Sequence, residues 1–340
     1  QARNRGFETV VSPAMGLPRN STACAMCGQC TVVCPTGAVK ETDGLAPVWR
    51  ALADPEKGVV VQVAPAVRAA LGEEFGLPVG TPVTGKMATA LHEIGFDDVF
   101  DTLFSADLTI LEEGTELLGR LNAALKGDES QKEKAVLPMI TSCSPGWIKH
   151  IEHQFPEELD HLSTCKSPHT MLGAVVKSFY AERTATAPEN MFVVSVMPCT
   201  AKKYEIQRPE MEVDGNRDVD AVLTTRELAR MIKTAGIDFV NLPEGEFDAP
   251  LGLGTGAADI FGVTGGVMEA ALRTAYFTLK GENPPADAFR AVRIEGFQEN
   301  AGVQEAEFAI GDIKLRTAAV SGRGNTRRLL QQIERGEVHY

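Results

Sequence analysis

The sequence has no long hydrophobic run, few aromatic residues and no excess of basic charge. No stretch of roughly 18 apolar residues occurs, so the sequence offers no helix that could span a membrane. Lysine and arginine total 33 against 46 acidic residues, and the formal net charge is −13. Because binding to nucleic-acid phosphates needs a basic surface, this balance excludes nucleic acid as the expected partner.

The amino-acid composition is that of a large globular protein. Of its 340 residues, 44% are hydrophobic and 23% are charged, which is enough apolar material for a sizeable core. The length fits one large domain or two ordinary ones. Short apolar runs such as Val59–Val63 alternate with longer helical segments, and this alternation predicts an α/β fold with parallel sheets.

The pattern predicts individual elements along the chain. The predicted strands are Val59–Val63, Asp98–Asp101, Val136–Ile140, Met191–Val196 and Ala221–Leu223. The predicted helices cover about 45–57, 66–75, 84–95, 105–125, 145–155, 168–184, 225–235, 264–279 and 324–336. Near the C-terminus, Ala291–Ile294 and Glu307–Ile313 are expected to form a hairpin.

Seven cysteines are present, and four of them lie close together. An odd count with one tight cluster is unlike a disulfide framework and typical of a metal site. The four are Cys24, Cys27, Cys30 and Cys34, followed directly by Pro35, which is the bacterial ferredoxin spacing. Zinc sites more often use two separated cysteine pairs, so the spacing favours iron–sulfur.

The ferredoxin spacing raises a question about the fourth cysteine. In two-cluster ferredoxins, the first three cysteines serve one 4Fe–4S cluster and the fourth serves the other. The ligands that would complete both clusters are absent from residues 1–23. Either Cys34 closes a single local cluster, or an N-terminal cluster module is missing from this chain.

Two of the other cysteines, Cys143 and Cys199, each follow a predicted strand. Open α/β sheets bind ligands at the carboxyl ends of their strands, so both are candidate ligand residues. Taken singly, each would more often be a buried core thiol.

Several segments together resemble one family. They are Ala64–Arg68, Ile110–Arg120, Thr141–Trp147, Leu162–Pro168, Met197–Glu205 and Phe261–Ala270, together with the ferredoxin spacing. With these segments the chain resembles the catalytic subunit of iron-only ([FeFe]) hydrogenases, and most closely the multisubunit, NAD(P)-linked, electron-bifurcating type. The resemblance covers about residue 24 to the end. It implies an incomplete ferredoxin-like 4Fe–4S segment over 1–40 and an H-cluster domain of two α/β lobes over 41–340, each lobe with a mainly parallel sheet flanked by helices.

The resemblance also implies an activity and its partners. Such proteins carry an H-cluster, a 4Fe–4S cube joined through a cysteine sulfur to a diiron unit with CO, cyanide and a bridging dithiolate. There they interconvert H2 with protons and electrons. Electrons are expected to pass through 4Fe–4S clusters to ferredoxin, or to NAD(P)-linked subunits that contain flavin and iron–sulfur clusters. H-cluster maturation proteins are further expected partners, and the cytoplasm is the expected location.

The family holds its cube with four cysteines, of which this chain has two at most. Cys199 is one, and the Thr141–Trp147 segment supplies another. The other two belong to a downstream Met-Ala-Cys and Gly-Gly-Cys motif that does not occur before Tyr340. The sequence is therefore expected to be truncated at both ends, and the truncated chain need not hold the H-cluster.

The first cube motif departs from the family, which has two adjacent cysteines there. The first relays protons and the second ligates the cube, and here these positions hold Cys143 and Ser144. In strict register Cys143 is the relay and Ser144 takes the ligand position. Alternatively, Cys143 is the ligand while Ser144 or water handles the proton. The second reading is slightly favoured, because a serine oxygen is a poorer ligand for an iron–sulfur cube than a thiolate.

The resemblance assigns further residues to a proton relay and a cofactor pocket. Glu113, Ser163, Glu116 and Arg120 align with the family's relay, although Glu113 and Glu116 alone would suit an exposed acidic helix face. Lys202 aligns with a lysine that donates a hydrogen bond to a cyanide of the diiron unit. The residues expected to line the diiron pocket are Ala64, Pro65, Ser167, Met197 and Phe261. His169 stands where many relatives have glutamine, and Cys165 is expected to be a packing residue.

Two other classes of function remain open. The Cys143–Ser144 departure would suit a sensory or regulatory hydrogenase homologue. A non-catalytic iron–sulfur scaffold of the same fold is the second alternative, although a scaffold has no need of Glu113, Glu116 and Lys202.

Overall fold

A four-stranded parallel sheet forms the centre of the molecule. The computed structural model describes residues 2–126, 136–286, 288, 302–310, 313–338 and 340. The four strands are β1 (Gly58–Val63), β2 (Asp98–Asp101), β3 (Met191–Val196) and β4 (Ala221–Leu223). They lie in the order β2-β1-β3-β4, and every neighbouring pair is parallel. The predicted strands at these four places and the α/β class are confirmed.

Helices surround this sheet and extend beyond it. The α-helices of the described residues are Gln29–Val32, Leu45–Leu52, Pro65–Ala70, Thr84–Ile94, Leu103–Lys126, Pro145–Gln154, Pro168–Val175, Ala181–Arg183, Lys202–Glu205, Thr225–Thr234, Gly256–Asp259, Gly266–Lys280 and Arg323–Glu334. A π-helical segment at Val176–Tyr180 joins the α-helices on either side of it, so the predicted helix over 168–184 is continuous. Thr84–Ile94 ends at Gly95, whose φ of 109° is the left-handed conformation that glycine supplies at helix ends.

The main core lies on both faces of the sheet. Val61 in β1 and the helix residues Leu91 and Leu228 are each 0% exposed. Burying a side chain of this size contributes about 1.5–3 kcal/mol. Because both faces of the central strands are covered, their sequence is continuously apolar rather than alternating.

The part of the chain that carries Cys143 is organised differently. The strand predicted at Val136–Ile140 is wrong, since only Ile140 pairs there, through one parallel bridge to Leu162. Pro138 interrupts that segment and has no N–H to give to a ladder. Among the described residues, the sheet expected in a second lobe is therefore reduced to this bridge. A small core of Ile151, Phe155 and Leu330 joins helix Pro145–Gln154 to helix Arg323–Glu334.

The remaining strands are antiparallel and peripheral. Val303–Ile310 pairs with Ile313–Val320, so the predicted strand Glu307–Ile313 actually extends from one strand of a hairpin into the other. Its expected partner Ala291–Ile294 lies outside the described residues. Two-residue ladders join Ala2–Arg3 to Val10–Val11 and Glu212–Val213 to Asn216–Arg217.

Candidate active site

The carboxyl ends of β1 and β3 place two expected pocket residues side by side. Ala64 follows β1 and donates its backbone N–H to the carbonyl of Val196 at 3.0 Å. Met197 follows β3 and donates to the carbonyl of Leu223 at 2.8 Å. Both side chains are buried, and Cys199 lies two residues further on, half-buried. This edge of the sheet is where α/β folds bind ligands.

The other expected pocket residues belong to separate elements. Pro65 is exposed at the start of helix Pro65–Ala70. Ser167 is buried ahead of helix Pro168–Val175, where its hydroxyl lies 3.2 Å from that of Thr170. Phe261 is half-buried in the short turn Ile260–Gly262. Their role in lining a pocket stays a prediction.

Lys202 connects the two segments that carry the candidate cube cysteines. It is the first residue of helix Lys202–Glu205, and its Nζ donates a hydrogen bond to the carbonyl of Cys143 at 2.9 Å. Cys143 is half-buried, whereas Ser144 is exposed at the N-terminus of helix Pro145–Gln154. Burial, together with the nearby Glu113 carboxylate, raises the pKa of the Cys143 thiol to about 11. The thiol is therefore protonated near neutral pH.

Glu113 carries a buried carboxyl group in the protein interior. Its residue is 1% exposed, and neither carboxyl oxygen makes a hydrogen bond within the described part of the chain. Burial raises its pKa to about 7 and the charge of Glu116 adds to the rise, against the nearby Ser163 hydroxyl and Ser142 amide. A carboxyl group with this pKa can both take up and release a proton near neutral pH. An exposed acidic helix face is thus ruled out for Glu113.

Glu116, three residues further along the same helix, has the opposite protonation behaviour. Burial would raise its pKa, but the Ser163 hydroxyl and the Arg120 guanidinium outweigh burial and lower it. Ser163 Oγ donates to Glu116 Oε2 at 2.8 Å, and Arg120 Nη2 donates to Oε1 at 2.7 Å. Two nearby carboxyl groups with separated pKa values are the arrangement that proton-transfer sites use.

Arg120 also fastens the surrounding loops to this helix. It is 9% exposed, and its guanidinium donates to four backbone carbonyls besides Glu116. Those carbonyls belong to Val136 at 3.1 Å, Asp160 at 3.0 Å, His161 at 3.5 Å and Leu162 at 2.7 Å. The structure therefore brings the four expected relay residues into one cluster, with Ser163 held directly after the fixed carbonyl of Leu162.

One partner in this region was missed by sequence reasoning. Glu205 accepts a hydrogen bond from Lys202 at 2.7 Å and pairs with His169 at 2.9 Å. The two residues of the Lys202–Glu205 pair are three apart on one helix, a spacing that brings opposite charges together and could have identified Glu205.

The ferredoxin-like cysteines lie near the surface. Cys27 and Cys30 are exposed, and Cys24 and Cys34 are half-buried. Hydrogen bonds from the Val39 backbone and the Thr36 hydroxyl lower the pKa of Cys34 to about 7, which favours the metal-binding thiolate. In the described residues no group of three or more histidine, cysteine or acidic side chains is arranged to hold a metal ion. The ligand sets therefore stay predictions.

The loop that carries these cysteines contacts Thr200, the residue after Cys199. Thr200 Oγ1 donates to the carbonyl of Met26 at 2.7 Å. A Cβ atom on Gly28 would lie 2.7 Å from the same hydroxyl, and Gly28 has a φ of +77°. Both the close approach and the left-handed backbone require glycine there.

Comparison with known proteins places this site in a family. Residues 57–340 match the family described as "Iron only hydrogenase large subunit, C-terminal domain". Subunit HndD of the NADP-reducing hydrogenase of Solidesulfovibrio fructosivorans is 54% identical over 99% of this chain and 56% of its own length. The periplasmic [Fe] hydrogenase large subunit of Nitratidesulfovibrio vulgaris is 47% identical over 86% of this chain and 66% of its own length.

Solved structures agree with these relatives. An [FeFe]-hydrogenase structure that concerns oxygen inactivation of the H cluster superposes with a TM-score of 0.75 at 39% identity, over 88% of this chain and 81% of the other. A variant of [FeFe]-hydrogenase HydA1 from Chlamydomonas reinhardtii gives 0.72 at 41% identity, over 86% and 80%. A more distant relative, cytosolic iron-sulfur assembly component 3 of Pongo abelii, is 33% identical over 83% of this chain and 58% of its own length.

The chain corresponds to part of the length of these relatives. The chain spans 56% and 66% of the lengths of its two hydrogenase relatives. No helix in the described ranges is both long and apolar enough to cross a membrane. The match over residues 57–340 and the shared α/β fold lead to one conclusion: the chain belongs to the iron-only hydrogenase large-subunit family.

Proposed function

We propose that this chain is the hydrogen-activating part of an iron-only hydrogenase, which interconverts H2 with protons and electrons. The observation that carries the proposal is Glu113, an interior carboxyl group that makes no hydrogen bond to the described residues and has a pKa of about 7. It lies beside the Cys143 thiol and is followed by Ser163 and the ionised Glu116. A buried acid with these neighbours suits proton transfer between an interior centre and the surface.

The chain's own residues fit the H-cluster that the family binds. Cysteine sulfur is the donor that iron–sulfur clusters require, and Cys199 is the cysteine we assign to the cube. The half-buried ammonium of Lys202, close to the Cys143 segment, suits an anionic ligand such as cyanide. When bound, the H-cluster supplies the redox chemistry of hydrogen. Ala64, Pro65, Ser167, Met197 and Phe261 would surround its diiron part.

The electrostatics of Cys143 bear on which of its two expected roles it takes. Its thiol has a raised pKa and lies near Glu113, the one carboxyl of the relay that can accept a proton. Ser144, by contrast, is exposed. We therefore assign the proton exchange with Glu113 to Cys143 and the ligand position to Ser144, the strict-register reading rather than the one the sequence slightly favours.

The N-terminal segment would supply the electrons. Cys24, Cys27 and Cys30 would hold a 4Fe–4S cluster, and Cys34 would complete that cluster or serve a second one. The contact between Thr200 and Met26 joins this loop to the Cys199 segment, which supports an electron route between them. The division into 1–40 and 41–340 is part of the same proposal.

The electron acceptor and location are proposed from the relatives. HndD is named as a subunit of an NADP-reducing hydrogenase, which supports NAD(P)-linked partner subunits, with ferredoxin as the other expected partner. Assembly of the H-cluster would need maturation proteins. We propose a cytoplasmic location, although one relative is named as periplasmic.

The proposal is tested on the complete polypeptide after maturation with the diiron unit. Infrared spectroscopy should show bands from metal-bound CO and cyanide, and reduced dye should support H2 formation. A matured protein that lacks those bands and forms no H2 would contradict the proposed activity. The Lys202→Met variant tests the role of Lys202 in the same measurements, because it removes the ammonium and keeps an apolar stem of similar length.

A scaffold for iron–sulfur assembly is the second candidate, since the assembly component is 33% identical over most of the chain. Such a protein would pass an intact 4Fe–4S cluster to an acceptor and form no H2. Measuring cluster transfer to an apo-ferredoxin distinguishes the two functions. Transfer without CO and cyanide bands would favour the scaffold.

A further inference from the structure

His169 is a fully enclosed side chain that the proton relay does not use. It is 1% exposed on helix Pro168–Val175, and both of its ring nitrogens have partners. Its Nε2 lies 2.9 Å from Glu205 Oε2, and its Nδ1 lies 3.2 Å from Ser195 Oγ. Ser195 belongs to β3, so the imidazole bridges the central sheet and the helix that carries Lys202.

The hydrogen-bond network fixes the form of this imidazole. Burial, with the charge of Lys202, lowers the pKa of His169, so the ring is neutral near pH 7. A neutral ring has one N–H, and the carboxylate of Glu205 can only accept, which assigns the proton to Nε2. Nδ1 then accepts from the Ser195 hydroxyl. The backbone carbonyl of His169 is held in turn by Gln62 Nε2 at 2.7 Å.

Glu205 links the position of the His169 imidazole to that of the Lys202 ammonium. Burial alone would raise the pKa of Glu205, but His169 and Lys202 outweigh it and lower the pKa to about 2. The same oxygen, Oε2, accepts from both His169 and Lys202. Lys202 Nζ is thereby held 2.7 Å from Glu205 and 2.9 Å from the carbonyl of Cys143. The orientation of the ammonium thus depends on a carboxylate that the imidazole orients.

We propose that His169 is a positioning residue, which acts through Glu205 to hold the Lys202 ammonium against the Cys143 carbonyl. The placement of Lys202 follows from the contacts of this chain alone. Its consequence for a cyanide ligand rests on the proposed hydrogenase function. A series of hydrogen bonds runs from Ser195 in β3 through the His169 imidazole and the Glu205 carboxylate to the Lys202 ammonium. A substitution at position 169 should therefore change the placement of the Lys202 side chain more than that of other lysines.

The adjacent lysine is a matched control within the same molecule. Lys203 pairs with Glu227 at 2.7 Å and also donates to the carbonyl of Thr42 at 2.7 Å. The side chains of Lys202 and Lys203 are 13% and 12% exposed. Only Lys202 shares a carboxylate with His169, so the two lysines differ in the feature that the proposal invokes.

The placement is tested by acetylating the complete protein without its H-cluster with acetic anhydride. Mass spectrometry with fragmentation compares the acetylation rates of Lys202 and Lys203. His169→Leu removes the hydrogen bond to Glu205 and should raise the Lys202 rate by about tenfold, the effect of losing one hydrogen bond to a charged group. The Lys203 rate should not change. Equal Lys202 rates in variant and parent, or a parallel rise at both lysines, would overturn the proposal.

Two polar variants separate positioning from packing. His169→Gln keeps an N–H donor at about the reach of Nε2 and should restore the parent Lys202 rate. His169→Asn is too short to reach Glu205 and should behave like His169→Leu, which it replaces if the leucine variant does not fold. Identical Lys202 rates in the glutamine and asparagine variants would mean that the contact with Glu205 is irrelevant.

The matured protein supplies a second readout. His169→Asn should shift the infrared bands of the metal-bound cyanides, and His169→Gln should leave them near their parent positions. If Lys202 acetylation responds but no CO or cyanide band forms in the parent either, the proposed hydrogenase function fails while the positioning role stands. If the bands form and do not move in His169→Asn, the role of His169 toward the cofactor is refuted.

Discussion

Two buried carboxyl groups act electrostatically on the Cys143 thiol, and they behave in opposite ways. Glu113 is 1% exposed and Glu205 is 4% exposed, so both have lost almost all contact with water. The pKa of Glu113 rises to about 7, whereas that of Glu205 falls to about 2. Glu113 makes no hydrogen bond to a described residue, while Glu205 has both His169 and Lys202.

The difference shows that the partners, rather than burial, decide the charge of an interior acid. A carboxylate that is paired with an ammonium and an imidazole N–H stays ionised and can orient its neighbours. A carboxyl group without partners stays near its point of half-protonation and can carry a proton. The same residue type therefore supplies a mobile proton at Glu113 and a fixed charge at Glu205.

The largest effect is expected from removing the candidate metal ligand Cys199. Cys199→Ala should abolish binding of the H-cluster cube, because alanine provides no donor atom for iron. Iron analysis and electron paramagnetic resonance of the matured protein measure this loss. Cys165→Ala serves as the control for removing another half-buried thiol. A full complement of cube iron in Cys199→Ala would refute the ligand assignment.

The next largest effect concerns the mobile proton. Glu113→Gln keeps the shape of the side chain but removes the exchangeable acid, so H2 turnover should fall by about 10²- to 10⁴-fold. Infrared bands of the cofactor should stay as in the parent protein. If turnover survives, Glu113 is not the proton carrier and the contrast with Glu205 loses its functional meaning.

Glu116→Gln should have a smaller effect on turnover, on the order of tenfold to a hundredfold. The amide oxygen can still accept from Ser163 and Arg120, so the cluster of hydrogen bonds persists without the negative charge. Steady-state H2 formation at several pH values measures the loss. A variant as active as the parent at every pH would remove Glu116 from the relay.

In the protein without its H-cluster, Glu113 and Glu205 should change the pH dependence of the unfolding free energy in opposite directions. The folded state keeps Glu113 protonated between about pH 4.5 and 7, so its contribution is full below 4.5 and is lost as pH rises through 7. Glu205 is ionised when folded, so its contribution is present above 4.5 and is lost as pH falls toward 2. Each shift amounts to roughly 3 kcal/mol of pH-dependent unfolding free energy.

Denaturant unfolding across pH separates the two effects. Glu113→Gln should flatten the decline in unfolding free energy between pH 4.5 and 7, and Glu205→Gln should leave that decline in place. The same pH dependence in Glu113→Gln and the parent would contradict the assigned protonation. Midpoints are compared at constant denaturant slope, so that changes in the unfolded state are not mistaken for stability.

The smallest effect is expected at Cys165. Its sulfur lies 3.7 Å from Glu116 Oε2, and burial raises the pKa of its thiol to about 12. Because Ser163 already donates to that oxygen, Cys165→Ala should change H2 turnover by less than about threefold. A loss as large as that of Glu116→Gln would make Cys165 a member of the relay.

Much of the sheet could be predicted because local sequence and burial agree there. The runs Val59–Val63 and Met191–Val196 are apolar and β-branched, and both strands form where expected. The segment Val136–Ile140 has a similar composition but does not form a strand. Whether an apolar run pairs depends on which backbone lies beside it, and Pro138 removes one donor.

The proximity of the four expected relay residues was predictable, whereas their electrostatics were not. Glu113 and Glu116 are three residues apart on one helix, and nothing in that spacing separates their pKa values. The separation arises because the fold brings the Arg120 guanidinium to Glu116, whereas burial dominates at Glu113. The role of Glu205 likewise depends on His169, which is 36 residues away in sequence. Contacts between distant segments decide both outcomes.

The central claim is that Glu113 is a proton carrier while Glu205 is a fixed charge. Infrared difference spectroscopy of the complete protein during a pH titration tests it directly, with Glu113→Gln and Glu205→Gln used to assign the carboxyl bands. We expect one protonated carboxyl band that disappears with a midpoint near pH 7 and is absent from Glu113→Gln only. A Glu113 carboxyl that is already ionised at pH 5, or a band near pH 7 that vanishes in Glu205→Gln instead, would contradict this account.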